Sequence, residues 1–398
     1  MKMQMVTCVA PVNIAVIKYW GKRDENLILP LNSSISITLS PTQLRAKTTV
    51  ALSKDFEKTR IWLNAVEQNP DNPRLQNIIR KIKHRAFRCN GEKNGQANKE
   101  DMLNWHLHIC SENNFPVSAG LASSAAGYSC LVAAMANLFE VEGDLSGIAR
   151  LGSGSACRSM YGGFVEWDLG HCSDGSDSLA RQIAPCDHWP ELRALLLVVS
   201  EQPKTVSSTL GMQNSVNTSE LLRSRVECIV PRRLAELRAS IAEKDFEKFA
   251  QICMKESNQF HAICLDTYPP IGYLTEVSDQ IIALVHRFNK LCERLKVAYT
   301  FDAGPNACLF LMEEDVPRFL SLIRHFFRPV NNGPENFIHG LPVDVPRVTT
   351  EDVLNISIGV MPDSIHYVIY TSVGVGPHKL EGSEHCLLND KGYPKRCR

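Results

Sequence analysis

The feature that most constrains this 398-residue chain is a strand, a glycine turn and a helix of small residues in direct succession. Apolar and polar residues alternate over residues 103–109, which predicts a strand. The chain then turns through ENNFPVSAG into a predicted helix over about residues 121–138, which is rich in alanine and serine. Because small side chains let a ligand or another backbone approach closely, this unit is the first candidate for a functional site.

The helix entrance in this unit, PVSAGLASSAAG from Pro116, has the composition of an anion-binding site. The first N–H groups of a helix lack partners within the helix and face an anion that binds there. The hydroxyls of Ser118, Ser123 and Ser124 would donate to phosphate oxygens or provide a ligand to magnesium. Close packing of a buried helix is the alternative explanation. The segment is not a P-loop, since GxxxxGK[ST] is absent, and GSGSAC lacks the third glycine or alanine of an NAD-binding turn.

A basic cluster precedes this unit in the segment APVNIAVIKYWGKRD. Lys18 and Lys22 lie close to Asn13 and Tyr19, in a chain whose 43 basic and 43 acidic side chains balance. Solvated charge at the end of a strand is the structural alternative for these lysines. The aromatic residues Tyr19 and Trp20 argue against that alternative, so the segment is a candidate anion site.

Two later segments combine glycine turns with groups suited to anion or proton chemistry. GSGSACRSMYGGFVEW offers the hydroxyls of Ser153 and Ser155 and the planar guanidinium of Arg158, which fits a carboxylate or a phosphate. Pairing of Arg158 with a local acid is the structural alternative. FDAGPNA places Asp302 after an apolar strand at a tight turn, where the common structural role is an Asx-turn or a helix cap.

The composition argues against several classes of function. With zero formal net charge, the chain has no global field that favours nucleic acid or a membrane, and neither is predicted as a partner. The apolar run at residues 194–199 is far shorter than the ~20 residues that span a bilayer. The fourteen cysteines show no CxxC pair or zinc-site spacing, which predicts reduced thiols. We expect a cytoplasmic protein without a signal peptide; a peroxisomal one stays possible, although no carboxy-terminal SKL is present.

The first half of the chain is predicted to be rich in strands and the second half more helical. In the first half, strands are predicted over residues 6–16, 34–39, 48–52 and 161–167, helices over residues 73–87 and 145–151, a surface loop over residues 89–101 and a connection over residues 176–190. After a buried strand from residue 192, helical segments are predicted over residues 205–259 and 281–295, and strands over residues 297–301, 307–311 and 366–372.

These segments, together with LPLNSSIS and SNQFHAICLDTYPPI, resemble the GHMP kinase superfamily and, within it, the mevalonate diphosphate decarboxylases, whose segment order they follow. The resemblance implies an α+β fold in two parts. Residues 1–190 would form a ribosomal-protein-like, ATP-binding amino-terminal domain with a left-handed crossover. Residues 191–398 would form a ferredoxin-like carboxy-terminal domain, and the active-site cleft would lie between the two.

The same resemblance implies an ATP-dependent decarboxylation of mevalonate 5-diphosphate to isopentenyl diphosphate, with release of ADP, phosphate and carbon dioxide, on the route to isoprenoids and sterols. ATP, magnesium ion and a homodimer belong to that expectation. The alternatives are a GHMP kinase that acts on mevalonate or phosphomevalonate, and a catalytically silent regulator with this fold. Such kinases resemble one another in an aspartate at the end of G-x-x-S-G-x-D, whereas this chain has Arg158 at that place and its acid at Asp302.

By resemblance, roles are carried over residue by residue. Asp302 is the expected general base, with Lys18 beside it, and Arg158 and Asn13 are expected to grip the substrate's carboxylate. The expected diphosphate-binding residues are Tyr19, Lys22, Ser153, Ser155 and, less directly, Ser208. Ser208 is less secure because some bacterial members have an arginine where Thr209 stands here. The expected triphosphate loop is Ser118, Ala119, Gly120, Leu121, Ala122, Ser123 and Ser124, with Ser124 as a magnesium ligand.

Overall fold

Four β-sheets form the framework of the structure, a computed structural model that describes residues 3–91, 102–115, 123–202, 204–327 and 337–395. The strands are β1 (Gln4–Pro11), β2 (Asn13–Ile17), β3 (Lys22–Asp24), β4 (Leu29–Pro30), β5 (Ser34–Thr38), β6 (Arg45–Ser53), β7 (Arg60–Leu63), β8 (Val66–Gln68), β9 (His106–Asn113), β10 (Phe164–Trp167), β11 (Ala180–Ala184), β12 (Leu192–Val198), β13 (Val297–Phe301), β14 (Ala307–Met312), β15 (Ile338–Gly340), β16 (Tyr367–Ser372) and β17 (His378–Leu380).

Helices cover and connect these sheets. The α-helices are α1 (Pro73–Gly91), α2 (Ser123–Phe139), α3 (Ser146–Arg150), α4 (Ser208–Thr218), α5 (Glu220–Ser224), α6 (Val230–Glu243), α7 (Phe246–Asp266), α8 (Glu276–Leu291), α9 (Val316–Phe327) and α10 (Thr350–Ile356). Short 3₁₀ helices span Gly154–Met160, Glu313–Asp315 and Ser383–His385, and a π-helix spans Arg225–Ile229. None of these described helices has the length and apolar content needed to cross a membrane.

The first half of the chain builds a six-stranded sheet in the order β17-β1-β6-β9-β7-β8 and a four-stranded sheet in the order β11-β10-β5-β2. Their pairs are antiparallel except for β7 with β9. Helix α2 packs on β1 and β6 and is buried over most of its surface, which explains its small, uncharged residues. The Cys130 thiol in α2 donates to the carbonyls of Cys8 and Ala46 in this sheet.

The second half builds a five-stranded sheet in the order β13-β14-β12-β16-β15. Strand β12 lies in the middle of this sheet, which explains its continuous apolar run. Helix α7 contacts both β13 and β2, and one apolar core extends through both halves of the chain. Strand β17 returns to pair with β1, so the end of the chain closes the first sheet. The domain boundary at residue 190 stays a prediction.

Three expectations about local structure were wrong. The expected connection at residues 176–190 contains β11, an edge strand whose arginine and glutamine are exposed, so no apolar alternation marks it. The expected strand over residues 6–16 is two strands, β1 and β2, which belong to different sheets. The loop expected from residue 89 begins inside helix α1, which ends at Gly91, and residues 92–101 lie outside the described part of the chain.

Candidate active site

A cavity of about 440 Å³ lies between the two halves of the chain. All the described candidate residues line it: Asn13, Lys18, Tyr19, Lys22, Ser123, Ser124, Ser153, Ser155, Arg158, Ser208 and Asp302. The fold therefore brings segments from both ends of the sequence to one place. The remaining candidates, Ser118, Ala119, Gly120, Leu121 and Ala122, lie outside the described residues.

An ion pair joins Lys18 and Asp302 on one wall of the cavity. Lys18 directly follows β2 and Asp302 directly follows β13, so two strand ends from different sheets hold the pair. The Lys18 Nζ lies 2.6 Å from Asp302 Oδ1, with the lysine side chain 4% exposed and the aspartate side chain 31% exposed. The ammonium is thus enclosed, while part of the carboxylate stays open to the cavity. Such a carboxylate is oriented before a substrate binds.

The Arg158 guanidinium is a second buried cation of the cavity, and its hydrogen bonds go to neutral groups. Nε donates to Asn13 Oδ1 at 3.1 Å, Nη1 to Ser34 Oγ at 2.5 Å and Nη2 to Ser155 Oγ at 3.0 Å. Among the described residues no carboxylate forms an ion pair with it. Burial, above all, lowers the pKa of Arg158 from its ordinary value. A buried positive charge without an acid partner favours an anion in the cavity.

Asn13 supports this arginine. Its Nδ2 donates to the carbonyl of Ser155 at 3.0 Å and to Ser159 Oγ at 2.8 Å, while its Oδ1 accepts from Arg158. Both amide hydrogens are therefore used inside the protein, which fixes the direction of the Oδ1 acceptor. The structure thus places Asn13 at the cavity and also as the group that orients Arg158.

The Tyr19 ring lies against Trp167, with ring centroids 4.7 Å apart. Its hydroxyl is buried without a hydrogen-bond partner among the described residues, and burial raises the pKa of Tyr19 well above its ordinary value. A Cβ added at Gly154 would lie 2.7 Å from this ring, so the second glycine of GSGSAC is needed for the approach. Lys22 Nζ lies 2.5 Å from Glu25 Oε2.

Two hydroxyls connect the expected triphosphate loop with the expected diphosphate-binding segment. Ser124 Oγ, in the first turn of α2, lies 3.2 Å from Ser153 Oγ. Among the described residues, no group of three or more histidine, cysteine, aspartate or glutamate side chains is placed to hold a metal. Magnesium usually keeps several waters and takes phosphate oxygens with only one or two protein ligands. The hydroxyl oxygens present therefore fit an ion that is bound mainly by ATP.

Sequence reasoning missed two cations that line the cavity, Lys204 and Arg74. Lys204 Nζ donates to Ser208 Oγ at 3.1 Å, and burial lowers the pKa of Lys204 while the charge of Asp302 opposes that shift. Arg74 stands in the first turn of α1, where a cation is unfavourable for the helix dipole. That unfavourable position is a sequence signal that could have identified Arg74.

A second cavity of about 280 Å³ adjoins the first and shares Ser123 and Ser124 with it. Apolar and amide side chains line the second cavity, including those of Trp62, Leu63, Asn69, Asn72 and Tyr128. Sequence reasoning had not assigned any residues to such a space. The N-terminus of α2 therefore stands where two cavities meet.

Comparison with known proteins identifies relatives over almost the whole chain. The family model described as diphosphomevalonate decarboxylase-like N-terminal domain matches residues 10–180, and the mevalonate 5-diphosphate decarboxylase C-terminal domain matches residues 194–380. The diphosphomevalonate decarboxylase of Rattus norvegicus is 54% identical, with 98% of this chain and 97% of the rat protein covered.

Solved structures give the same result. The mevalonate diphosphate decarboxylase from Trypanosoma brucei superposes with a TM-score of 0.83 at 38% identity, over 97% of this chain and all of that one (100%). A complex of MDDEF with MVAPP, AMPPCP and magnesium superposes with a TM-score of 0.73 at 28% identity, over 96% of this chain and 100% of that one. These likenesses confirm the expected GHMP-type α+β fold. The chain belongs to the mevalonate diphosphate decarboxylase family.

Proposed function

We propose that the protein decarboxylates mevalonate 5-diphosphate to isopentenyl diphosphate and consumes one ATP, with release of ADP, phosphate and carbon dioxide. The observation that carries this proposal is the buried Arg158, which has no acid partner among the described residues and lines the same cavity as the Lys18–Asp302 pair. A kinase needs only an oriented hydroxyl and its ATP. A decarboxylase also needs a cation that holds the substrate's carboxylate.

In the first chemical step, Asp302 would orient the substrate's tertiary hydroxyl and accept its proton while the oxygen attacks the γ-phosphorus of ATP. The 2.6 Å contact with Lys18 holds the carboxylate in place. Phosphoryl transfer depends mainly on positioning and on charge neutralisation, since most analyses find a loose transition state. Lys18 would contribute to both, and a magnesium ion bound with ATP would neutralise phosphate charge.

In the second step, the new tertiary phosphate leaves with the electron pair of its C–O bond, and positive charge develops at the tertiary carbon. The electron pair of the carbon–carboxylate bond then forms the new double bond, and carbon dioxide departs. The planar guanidinium of Arg158, whose N–H groups form a fork, would hold the substrate's carboxylate. The breaking carbon–carboxylate bond would then point at the developing charge. Asn13 would keep the fork in that orientation, since it accepts the Nε hydrogen.

The substrate's diphosphate would lie among Tyr19, Lys22, Ser153, Ser155 and Ser208. Their shared place in one cavity supports this assignment. Lys204 adds a cation there, since it donates to Ser208. Lys22 would exchange its contact with Glu25 for a phosphate oxygen.

ATP would bind across the junction of the two cavities, with its triphosphate at the N-terminus of α2. The serine hydroxyls of this loop, Ser118, Ser123 and Ser124, would bind phosphate oxygens, and Ser124 would be the magnesium ligand. We assign the adenine to the second cavity, because its apolar walls and its amide side chains at Asn69 and Asn72 suit a purine. Trp62 lines that cavity, so its fluorescence should change when ADP binds.

One experiment tests the reaction directly. Purified protein is incubated with magnesium ATP and mevalonate 5-diphosphate, and ADP, inorganic phosphate and carbon dioxide are measured in the same sample. Equal amounts of all three support the proposal. ADP without carbon dioxide would indicate a kinase that stops at the phosphorylated product, and no ADP would indicate a silent relative.

We also propose a homodimer located in the cytoplasm. Leu265 and Tyr268, 63% and 76% exposed, flank Asp266 in sequence, and the Asp266 carboxylate accepts the backbone N–H of the exposed Leu221; exposed apolar groups of this kind are typical of interfaces. A Tyr268→Asp variant should dissociate in light-scattering measurements, and a wild-type monomer would contradict the dimer. The cysteine side chains that the structure describes form no disulfide, which supports a reducing compartment; the peroxisome is the alternative that microscopy would distinguish.

A further inference from the structure

Helix α7 holds both members of the Lys18–Asp302 pair through two consecutive residues. Glu256 Oε2 accepts the backbone N–H of Lys18 at 3.3 Å. The hydroxyl of Ser257 accepts the backbone N–H of Phe301 at 3.0 Å, and Phe301 directly precedes Asp302. One helix therefore sets the backbone positions from which the two side chains reach each other.

Arg225, in the π-helix that spans Arg225–Ile229, also binds the backbone of Lys18. Its Nη2 donates to the carbonyl of Lys18 at 3.1 Å, and its two terminal nitrogens donate to the Glu256 carboxylate at 2.9 and 2.8 Å. Both backbone polar groups of Lys18 are thus bound by one buried ion pair. Arg225 begins the π-helix, a rare structure that is frequent at functional sites.

One carboxylate, that of Glu256, pairs with two guanidinium groups in this cluster. Burial by itself would raise the pKa of Glu256, but Arg225 and Arg233 outweigh it and lower that pKa. His261, one turn further along α7, packs edge-on against Phe301. Burial, and then the charge of Lys18, lower the pKa of His261 to about 3, so this ring adds no charge near the pair.

Glu256, Ser257 and Arg225 do not belong to the described residues that line the cavity. They bind instead the backbone of Lys18, which lines the cavity, and of Phe301, which directly precedes the cavity residue Asp302. We propose that Glu256, Ser257 and Arg225 are positioning residues for phosphoryl transfer, which hold Lys18 and Asp302 at bonding distance and thereby set kcat. This inference rests on the proposed function. The competing role is purely structural, namely stabilisation of the junction between the two halves.

The first test measures the position of Lys18 without any turnover. Full-length protein is labelled with limiting acetic anhydride, and mass spectrometry gives the acetylation rates of Lys18 and Lys22. Lys22 is the internal control, because its side chain is also enclosed and paired, and its ion pair among the described residues is with Glu25 and not with α7. In Glu256→Gln and Ser257→Ala, Lys18 should react about tenfold faster relative to Lys22, as expected for a local opening. An unchanged ratio would overturn the inference.

The second test separates positioning from stability. Glu256→Gln and Ser257→Ala should lower kcat by roughly 10- to 100-fold, because small misplacements of catalytic groups have effects of that size. The KM values for ATP and for mevalonate 5-diphosphate should stay within about twofold of wild type. The control is Ile252→Ala, a buried apolar residue of the same helix. It should lower Tm but keep kcat per folded molecule.

The outcomes are distinguishable. If kcat falls in all three variants only in proportion to the folded fraction, the structural role is correct and the inference is wrong. An active wild type with unchanged Glu256→Gln and Ser257→Ala kinetics overturns the inference alone. A wild type that produces neither ADP nor carbon dioxide overturns the proposed function, and the inference with it, before any variant is compared.

Discussion

Two cationic regions of the cavity differ in how their charge is balanced. Lys18 is paired with Asp302 at 2.6 Å, whereas the hydrogen bonds of the Arg158 guanidinium to described residues go to Asn13, Ser34 and Ser155, all neutral. Both cations are nearly fully buried. The difference fits the tasks proposed for them, in which the paired lysine would position a base and the arginine would recognise an anion.

This difference also explains how one cavity would support the two proposed steps, phosphoryl transfer and decarboxylation. A matched pair needs no substrate to keep its geometry, so it suits proton and phosphoryl transfer, which depend on positioning. An unmatched buried cation gains most when an anionic group binds, so it suits the recognition of a carboxylate. Variants of each region should therefore affect different steps.

The largest effect is expected from Asp302→Asn, which removes the proposed base and keeps the shape of the side chain. Turnover should fall about 10²- to 10⁴-fold, the usual contribution of a general base. Nucleotide affinity and Tm should stay close to wild type. ADP release and thermal unfolding measure the two quantities.

Asp352→Asn is the matched control for this change. Asp352 also pairs with a basic side chain at 2.6 Å, that of Arg318, but neither residue lines the cavity. Its turnover should be wild-type. Wild-type-like turnover of Asp302→Asn would remove this residue from the mechanism and with it the distinction between the two regions.

Arg158→Lys should come next, with roughly 100-fold lower kcat/KM for mevalonate 5-diphosphate. The charge is kept, but the planar fork that fits a carboxylate is lost. Carbon dioxide release should be slowed more than ADP release, so the two rates should separate. Arg150→Lys, another buried arginine but outside the cavity, should leave both rates unchanged. An equal loss of ATP affinity in Arg158→Lys would instead place Arg158 at the nucleotide.

Asn13→Ala should have a smaller effect, with about tenfold lower kcat/KM, because the buried Nε of Arg158 loses its acceptor. Asn289→Ala is a close match as control. Asn289 is also buried and also makes three hydrogen bonds, to the backbone of Lys296 and Val297. It should destabilise the protein in a urea titration without changing kcat/KM. Equal kinetic losses in both variants would show that the Asn13 effect is only structural.

The smallest effect is expected from Lys204→Met. Burial lowers the pKa of Lys204 in the folded state, so keeping this group charged costs stability at neutral pH; that cost declines as the pH rises above the folded pKa and is gone above the unfolded pKa. The variant should therefore have a slightly higher Tm near pH 7, with a gain that shrinks toward high pH. KM for mevalonate 5-diphosphate should rise about three- to tenfold, since one charge-assisted contact is lost.

Lys83→Met separates these two consequences. Burial also lowers the pKa of Lys83, but its Nζ donates to the carbonyl of Trp105, and it does not line the cavity. It should show the same pH trend in Tm without any change in KM. A KM change of equal size in both variants would exclude Lys204 from diphosphate binding.

Local segments revealed most of the candidate site, because each glycine turn and its polar residues lie within a short stretch of sequence. Arg158 was identified in this way, whereas Asp302 became a candidate base only through the family resemblance. Glu256 and Ser257 could not be identified from the sequence, since their partners, Lys18 and Phe301, lie far along the chain. The Lys18–Glu256 contact, for example, joins residues 238 positions apart.

By itself, the sequence determined the types of chemical group, their family and most strands and helices, because side-chain type and hydrophobic period are local properties. Only the tertiary structure decided which charges meet. It placed Lys18 against Asp302, 284 positions away, and left Arg158 with neutral partners. The physical reason is that charge balance in a buried site depends on neighbours in space, which the order of residues does not state.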